Sequence, residues 1–241
     1  MFKFSLRLLL IVSSCYLSSL SAESMIHPDT ELLYINKYVG YGVFATKFIP
    51  QGTITWVLDE LDQKFDETYV NSLDTVLRQK LLKYCYRDRD GKYILCWDIA
   101  KFVNHSFNSN CISTPYKFEI ATRDIYPGEE LTDDYGYLNL DEPFYCLLES
   151  GCDRTKVMPD DILQFYPEWD RKAAAAMAYL QRVKQPLKRL IDSQYIDKVN
   201  AIAQGKAKID SILNCYYDRA NKLEYSQLGV SAIANKLQPL C

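Results

Sequence analysis

Glycine and proline recur through Leu32–Leu58 at intervals that leave room only for short extended segments. The stretch LLYINKYVGYGVFATKFIPQGTITWVL alternates apolar with polar residues and is interrupted at Gly40, Gly42, Pro50 and Gly52, the pattern of two or three strands joined by turns. RDRDGKYILCW reads as a turn at Asp90-Gly91 followed by a strand, and KFEIATRDIYPGEEL repeats strand then turn, with Pro127-Gly128 as the turn. Between them, Asp66–Tyr86 changes period. Val70, Leu73, Leu77, Leu81 and Tyr84 recur at three- and four-residue spacing, which predicts one amphipathic helix. After Pro143 the strand signal stops, leaving Cys146–Pro159 as an irregular segment.

Residues 160–241 read as a helical region. Ala173–Tyr195 is Ala-rich and periodic through Met177, Leu180, Val183, Leu187 and Leu190, with Pro186 set to kink or break it. Ile209, Ile212, Leu213, Tyr216, Ala220 and Leu223 make a second apolar face. Two or three helices are expected, packed together or on the β-rich core.

A chain of 241 residues that is 48% hydrophobic can bury a sizeable core. Its formal net charge of -3, with both signs interspersed, gives no basic footprint for a phosphate backbone, so no direct nucleic-acid partner is expected. The 19 tyrosines fit aromatic cores and strand faces. At the N-terminus, Lys3 and Arg7 precede the apolar run Leu8–Val12, and small residues lead to Ser21-Ala22, the layout of a secretory signal over residues 1–22. Val12-Ser13-Ser14-Cys15 also has the form of a lipoprotein processing site. The run is too short to span a bilayer, which takes about 20 residues, so no transmembrane span is expected in the mature chain.

Three clusters carry candidate chemistry. FVNHSFNSNC gathers Asn104, His105, Ser106, Asn108 and Asn110, whose amide and imidazole groups can meet several polar atoms of a ligand. In GEELTDDYG, the acids Glu129, Glu130, Asp133 and Asp134 read as a solvated face beside the turn. No second acidic cluster with matching spacing accompanies them, which sets hydrolytic and metal chemistry aside. Gly40-Tyr41-Gly42 lets backbone approach a ligand, but Ala45 stands where a dinucleotide motif has its third glycine.

Taken in order, GYGVFA, FVNHS with a following NC, and GEELTDDYG make the chain resemble the SET-domain protein-lysine methyltransferases, from about Tyr38 to about Pro159. The resemblance implies a mixed, mainly β fold of short curved sheets with knot-like threading, rare among folds, followed by the α-helical appendage. It places the SET-like domain at 32–142 and a degenerate closing segment at 143–159. It implies S-adenosylmethionine as cofactor and a protein lysine as acceptor, on a histone or, if the chain is exported, on a protein of another cell. Gly40, Tyr41 and Gly42 match the first cofactor motif, Asn104 and His105 the pair that hydrogen-bonds the cofactor, and Tyr135 the catalytic tyrosine. Phe144 matches an aromatic that packs on the adenine.

Asp133 stands where many members carry an aromatic that limits methylation, so the number of methyls added is not legible. Of the closing segment's usual zinc ligands Cys111, Cys146 and Cys152 survive, while Leu148 occupies the middle position. Three thiolates fall short of the four ligands of a structural zinc. No metal is expected, and a disulfide or inert thiols are the alternatives. Secretion conflicts with the need for a cofactor made inside cells, unless the protein is delivered into one or the leader is not a signal and the enzyme is cytoplasmic. A SET-like interaction protein that has lost catalysis and works through its helices is the alternative function.

Overall fold

The computed structural model describes residues 25–146, 149 and 151–219. The leader, Leu148, Ala220, Leu223 and both terminal cysteines, Cys15 and Cys241, lie outside the described residues. The punctuated stretch forms three strands, β1 (Thr30–Asn36), β2 (Gly40–Ala45) and β3 (Ile54–Val57). β1 and β2 pair antiparallel around a turn at Lys37–Val39, closed by Asn36 Oδ1, which accepts from the amides of Tyr38 and Val39. Gly40 sits at φ +89, a conformation that side chains with a Cβ resist.

The single helix expected over Asp66–Tyr86 is instead two. β4 (Gln63–Phe65) leads into α1 (Glu67–Ser72), and α2 (Thr75–Tyr84) starts anew because Asp74 caps it, accepting from the amides of Val76 and Leu77. Val70 is buried, but α2 buries none of its residues, and Val76 and Leu77 stay more than half exposed. Cys85–Arg87 then continues as β5, which pairs with β6 (Tyr93–Leu95) across the Asp90-Gly91 turn. β4 flanks β6 on its other edge.

The short pieces after β6 are β7 (Asn104–His105), β8 (Cys111–Ser113), β9 (Phe118–Ala121) and β10 (Thr132–Asp133). The sheet β3-β9-β8 is the centre of the molecule. All four residues of β3 are buried, as a strand covered on both faces requires. One face packs Ile54, Val57, Ile112, Phe118 and Ile120 against the helical region, and around Trp56, Cys111 and Ala121 a second core gathers Ile26, Val43, Ile49 and Leu131. His27 is buried beside Ile26, and its amide donates to Thr55 O at 2.7 Å.

Two expectations fail after Pro143. The strands do not give out: β11 (Phe144–Tyr145) and β12 (Lys156–Val157) pair antiparallel and close the segment into a loop. The helix expected over Ala173–Tyr195 instead begins at Asp161 and ends at Met177 as α3, running through Pro167, whose ring lies on the exposed side. It stops nine residues before Pro186. The connection is then held by the Gln185 amide, which accepts from the edge amide Ile54 N at 2.9 Å and donates to Gly52 O and Leu180 O. α4 (Ser193–Ala203) follows, and among the described residues the second apolar face forms a short 3₁₀ turn, Ile212–Cys215. Trp169, Ala173, Ala176, Met177, Val199 and Ile212 complete the first core, so the helices share the sheet's hydrophobic interior. Among the described residues no helix is long and apolar enough to cross a membrane.

Candidate functional site

β7 and β10 lie parallel, with Asn104 opposite Thr132 and His105 opposite Asp133. Ser106 N donates to Asp133 O at 3.0 Å. Two segments far apart in sequence thereby meet, as the expected threading requires, and Tyr135 emerges directly beyond the pair. Its amide donates to His105 Nδ1 at 3.1 Å and its hydroxyl to Val103 O at 2.8 Å.

On one side of this junction stands the glycine motif. Asn104 Nδ2 donates to Tyr41 O at 2.9 Å and to Glu130 Oε1 at 2.7 Å, which uses both amide hydrogens and leaves Oδ1 as its remaining polar atom. A Cβ on Gly42 would collide with Glu130 Oε1 and come within 2.7 Å of Ile35 Cδ1 and 3.1 Å of Asn104 Nδ2. The space a Gly42 side chain would need is taken by Glu130, Ile35 and Asn104, and Gly42 is needed so that Glu130 can hold Asn104. The Tyr41 ring is half exposed, edge-on to Phe102 and Tyr34.

Because Nδ1 of His105 accepts from the Tyr135 amide, the neutral ring carries its proton on Nε2. That atom is buried and has no partner among the described residues. Burial lowers the imidazole's pKa, outweighing the charge of Asp134, so the ring is a neutral donor. Phe107 packs on it edge-on at 4.4 Å, and Phe144, 42% exposed, lies 5.9 Å from its centroid and 5.5 Å from that of Tyr135. Burial, then the charge of Asp133, pushes the Tyr135 phenol above its ordinary range. It stays protonated.

On the other side, Tyr135 and Val103 line a cavity of about 980 Å³ between the SET-like core and the helical region. Glu119 and Asp133 line it too, with their carboxyls hydrogen-bonded to each other. Tyr137 donates its hydroxyl to Asp133 Oδ1. Asp133 and Asp134 are 3% and 1% exposed, so the solvated face expected from GEELTDDYG is overturned for this pair. Parallel pairing with β7 draws them inward. Glu129 behaves as expected, closing the turn by accepting from the Tyr126 amide at 3.0 Å and pairing with Arg123.

Asp134 has its own partner. Arg154, a residue that no sequence motif singled out, bridges Asp134 Oδ2 and Asp161 Oδ2, each at 2.6 Å, with its guanidinium over the rings of Phe107 and Phe165. Burial nonetheless raises the Asp134 pKa against the pull of Arg154. Glu149 holds the same closing segment from its other end, accepting from Ser106 Oγ at 2.9 Å and from the amides of Phe107 and Asn108. Cys111 is buried in the second core, with Sγ donating to Asn110 Oδ1, whereas Cys146 and Cys152 sit partly exposed on the closing segment. All three are free thiols, and no group of three or more His, Cys, Asp or Glu among the described residues is arranged to hold a metal ion.

Residues 40–136 match the family model of the SET domain. Against curated proteins the chain has no match. The matched span runs from the glycine motif to one residue past Tyr135 and so includes both walls of the junction.

Proposed function

Because the chain carries a SET domain, we propose that it transfers a methyl group from S-adenosylmethionine to the side-chain amine of a protein lysine. The observation that carries this reading is the position of Tyr135, with a polar pocket wall at its amide and a deep cavity at its ring. The residues present suit the cofactor. The neutral His105 offers a buried Nε2–H without a partner among the described residues, Asn104 keeps Oδ1 available, and the exposed ring of Phe144 offers an apolar face to a base. When bound, S-adenosylmethionine supplies an electrophilic methyl on a sulfonium centre.

This chain's residues then position the acceptor. A lysine ammonium, with a reference pKa near 10.4, resists deprotonation at neutral pH by roughly 4–5 kcal/mol. The cavity is lined by Trp56, Tyr86 and Phe118 around the carboxyls. Entry into it removes water from the ammonium, which favours the neutral amine. The Tyr135 hydroxyl, fixed on Val103 O, orients that amine toward the cofactor wall, and such positioning supplies much of the rate.

Incubation with tritiated S-adenosylmethionine and a lysine-peptide library tests the reading. Transfer to lysine, together with calorimetric binding of the cofactor, supports it. A protein that binds no cofactor is instead the interaction protein. The leader belongs to the same proposal: residues 1–22 export the chain, and delivery into another cell meets the cofactor there. N-terminal sequencing of the mature protein from each cell fraction checks this, and retention of Met1 in cytoplasmic protein overturns it.

A further inference from the structure

We propose that the Glu119–Asp133 pair, of which Asp133 is buried and Glu119 partly so, is the acceptor of the proton that the substrate ammonium loses, a role that rests on the methyl-transfer reading above. Glu119 lies on β9, in register with Trp56 of β3 and Ser113 of β8, and Asp133 lies on β10 beside His105. Both carboxyls face the cavity that Tyr135 lines. They bond each other, Tyr137 donates to Asp133, and Ser113 Oγ donates to Glu119 Oε1 at 3.4 Å. Among the described residues no Lys or Arg forms an ion pair with either carboxyl. Trp56, 6% exposed, lines the same cavity, and its indole N–H has no hydrogen-bond partner among the described residues.

A largely enclosed carboxyl pair with no cation bonded to it is electrostatically incomplete. A substrate ammonium supplies the missing charge. Burial pushes Glu119 up to about 7 against hydrogen bonds from Ser113 and Asp133, and Asp133 is pushed well above the ordinary carboxylate range by burial and then by the charges of Glu119 and Asp134. The pair is also acted on by the carboxyl of Asp98, the thiols of Cys96 and Cys111 and the phenols of Tyr86 and Tyr135, with the neutral His105 across the β7–β10 pair, and Lys64, Lys101 and Lys117 line the same cavity without an ion pair to either carboxyl among the described residues. Near neutral pH the two carboxyls therefore hold one proton and one negative charge, and a carboxylate poised near the working pH is the effective base.

In the step, the substrate Nζ–H bond breaks and its proton goes to Glu119, which becomes a neutral acid. The freed lone pair forms the N–C bond to the methyl carbon, while the C–S bond breaks with its electron pair remaining on sulfur. Glu119 returns its proton to solvent through the cavity mouth.

Two measurements test this. Infrared titration of the cofactor-free full chain should show a protonated-carboxyl band that disappears as pH rises through about 7 in the wild type, with that step missing in Glu119→Gln. Methyl transfer to the lysine-peptide library should rise with pH through the same region in the wild type. Glu119→Gln should lose that limb and about 10²-fold in rate at neutral pH. Should Glu119→Gln fail to fold, Ser113→Ala serves in its place: removing a hydrogen bond that favours the Glu119 anion moves both titrations to higher pH. An unchanged pH profile with a missing infrared step overturns the acceptor role while leaving methyl transfer intact. An absent infrared step in the wild type overturns the shared proton itself, and absence of wild-type transfer at every pH removes the functional reading and the acceptor with it.

Discussion

The two sides of Tyr135 meet the same physical force with opposite results. On the His105 side burial strips a proton, leaving a neutral imidazole whose one donor has no hydrogen-bond partner among the described residues. On the Asp133 side burial retains a proton, because carboxyls are neutral when protonated. Desolvation disfavours charge on both walls, and the residue type decides which way the proton moves. The first wall is then suited to hydrogen-bonding a ligand and the second to receiving a proton, with one phenol between them.

The largest expected effect comes from removing the shared element. Tyr135→Phe should reduce methyl transfer by about 10²-fold or more and leave calorimetric cofactor affinity within about twofold, because the hydroxyl bonds Val103 O on the cavity side. Loss of cofactor binding in this variant would erase the distinction between the two walls.

Next is Arg154→Ala, which strands two carboxylates that are 2% and 7% exposed at their side chains. Urea unfolding should register a loss of about 3–5 kcal/mol. A loss under 1 kcal/mol would mean that the closing segment is held elsewhere.

Glu130→Ala isolates the first wall. It frees the Asn104 amide that now bonds Glu130 Oε1 and should weaken cofactor binding about tenfold, the equivalent of roughly 1.4 kcal/mol, with no change in the pH profile of transfer. A shifted profile would couple the walls.

The last expectation concerns the pH dependence of stability attributable to Glu119. Its folded-state pKa, about 7, lies above the usual carboxylate value of 4.5, so the folded state binds the proton more tightly than the unfolded one. The stabilisation is fully present below the unfolded value and is lost as pH rises through about 7. Relative to wild type, Glu119→Gln should gain in urea midpoint between pH 5 and pH 8. A constant difference would remove the buried proton.

Legibility followed the range of the interactions. Gly40, Gly42, Pro50 and Gly52 act through their own backbone, and β1 to β3 fall where they were expected. The break at Asp74 was missed because apolar spacing continued across it while a capping side chain, not a glycine or proline, restarted the helix. β11 and β12 depend on pairing across ten residues of weak pattern. At the site, the order of three motifs located Asn104, His105 and Tyr135, but Glu119 sat unnoticed in an ordinary F-E-I-A strand alternation. Glu130 was dismissed with the turn acids, and Arg154 is an isolated basic residue whose partners lie 20 and 7 positions away.

The sequence by itself determined the short-strand architecture, the residues at the junction and the SET resemblance, because local backbone preference and ordered motifs are written in neighbouring residues. Only the tertiary structure decided which of the acids are buried. Parallel pairing of β7 with β10 withdraws Asp133 and Asp134 from water, and a carboxyl's charge depends on that water rather than on its neighbours in the chain.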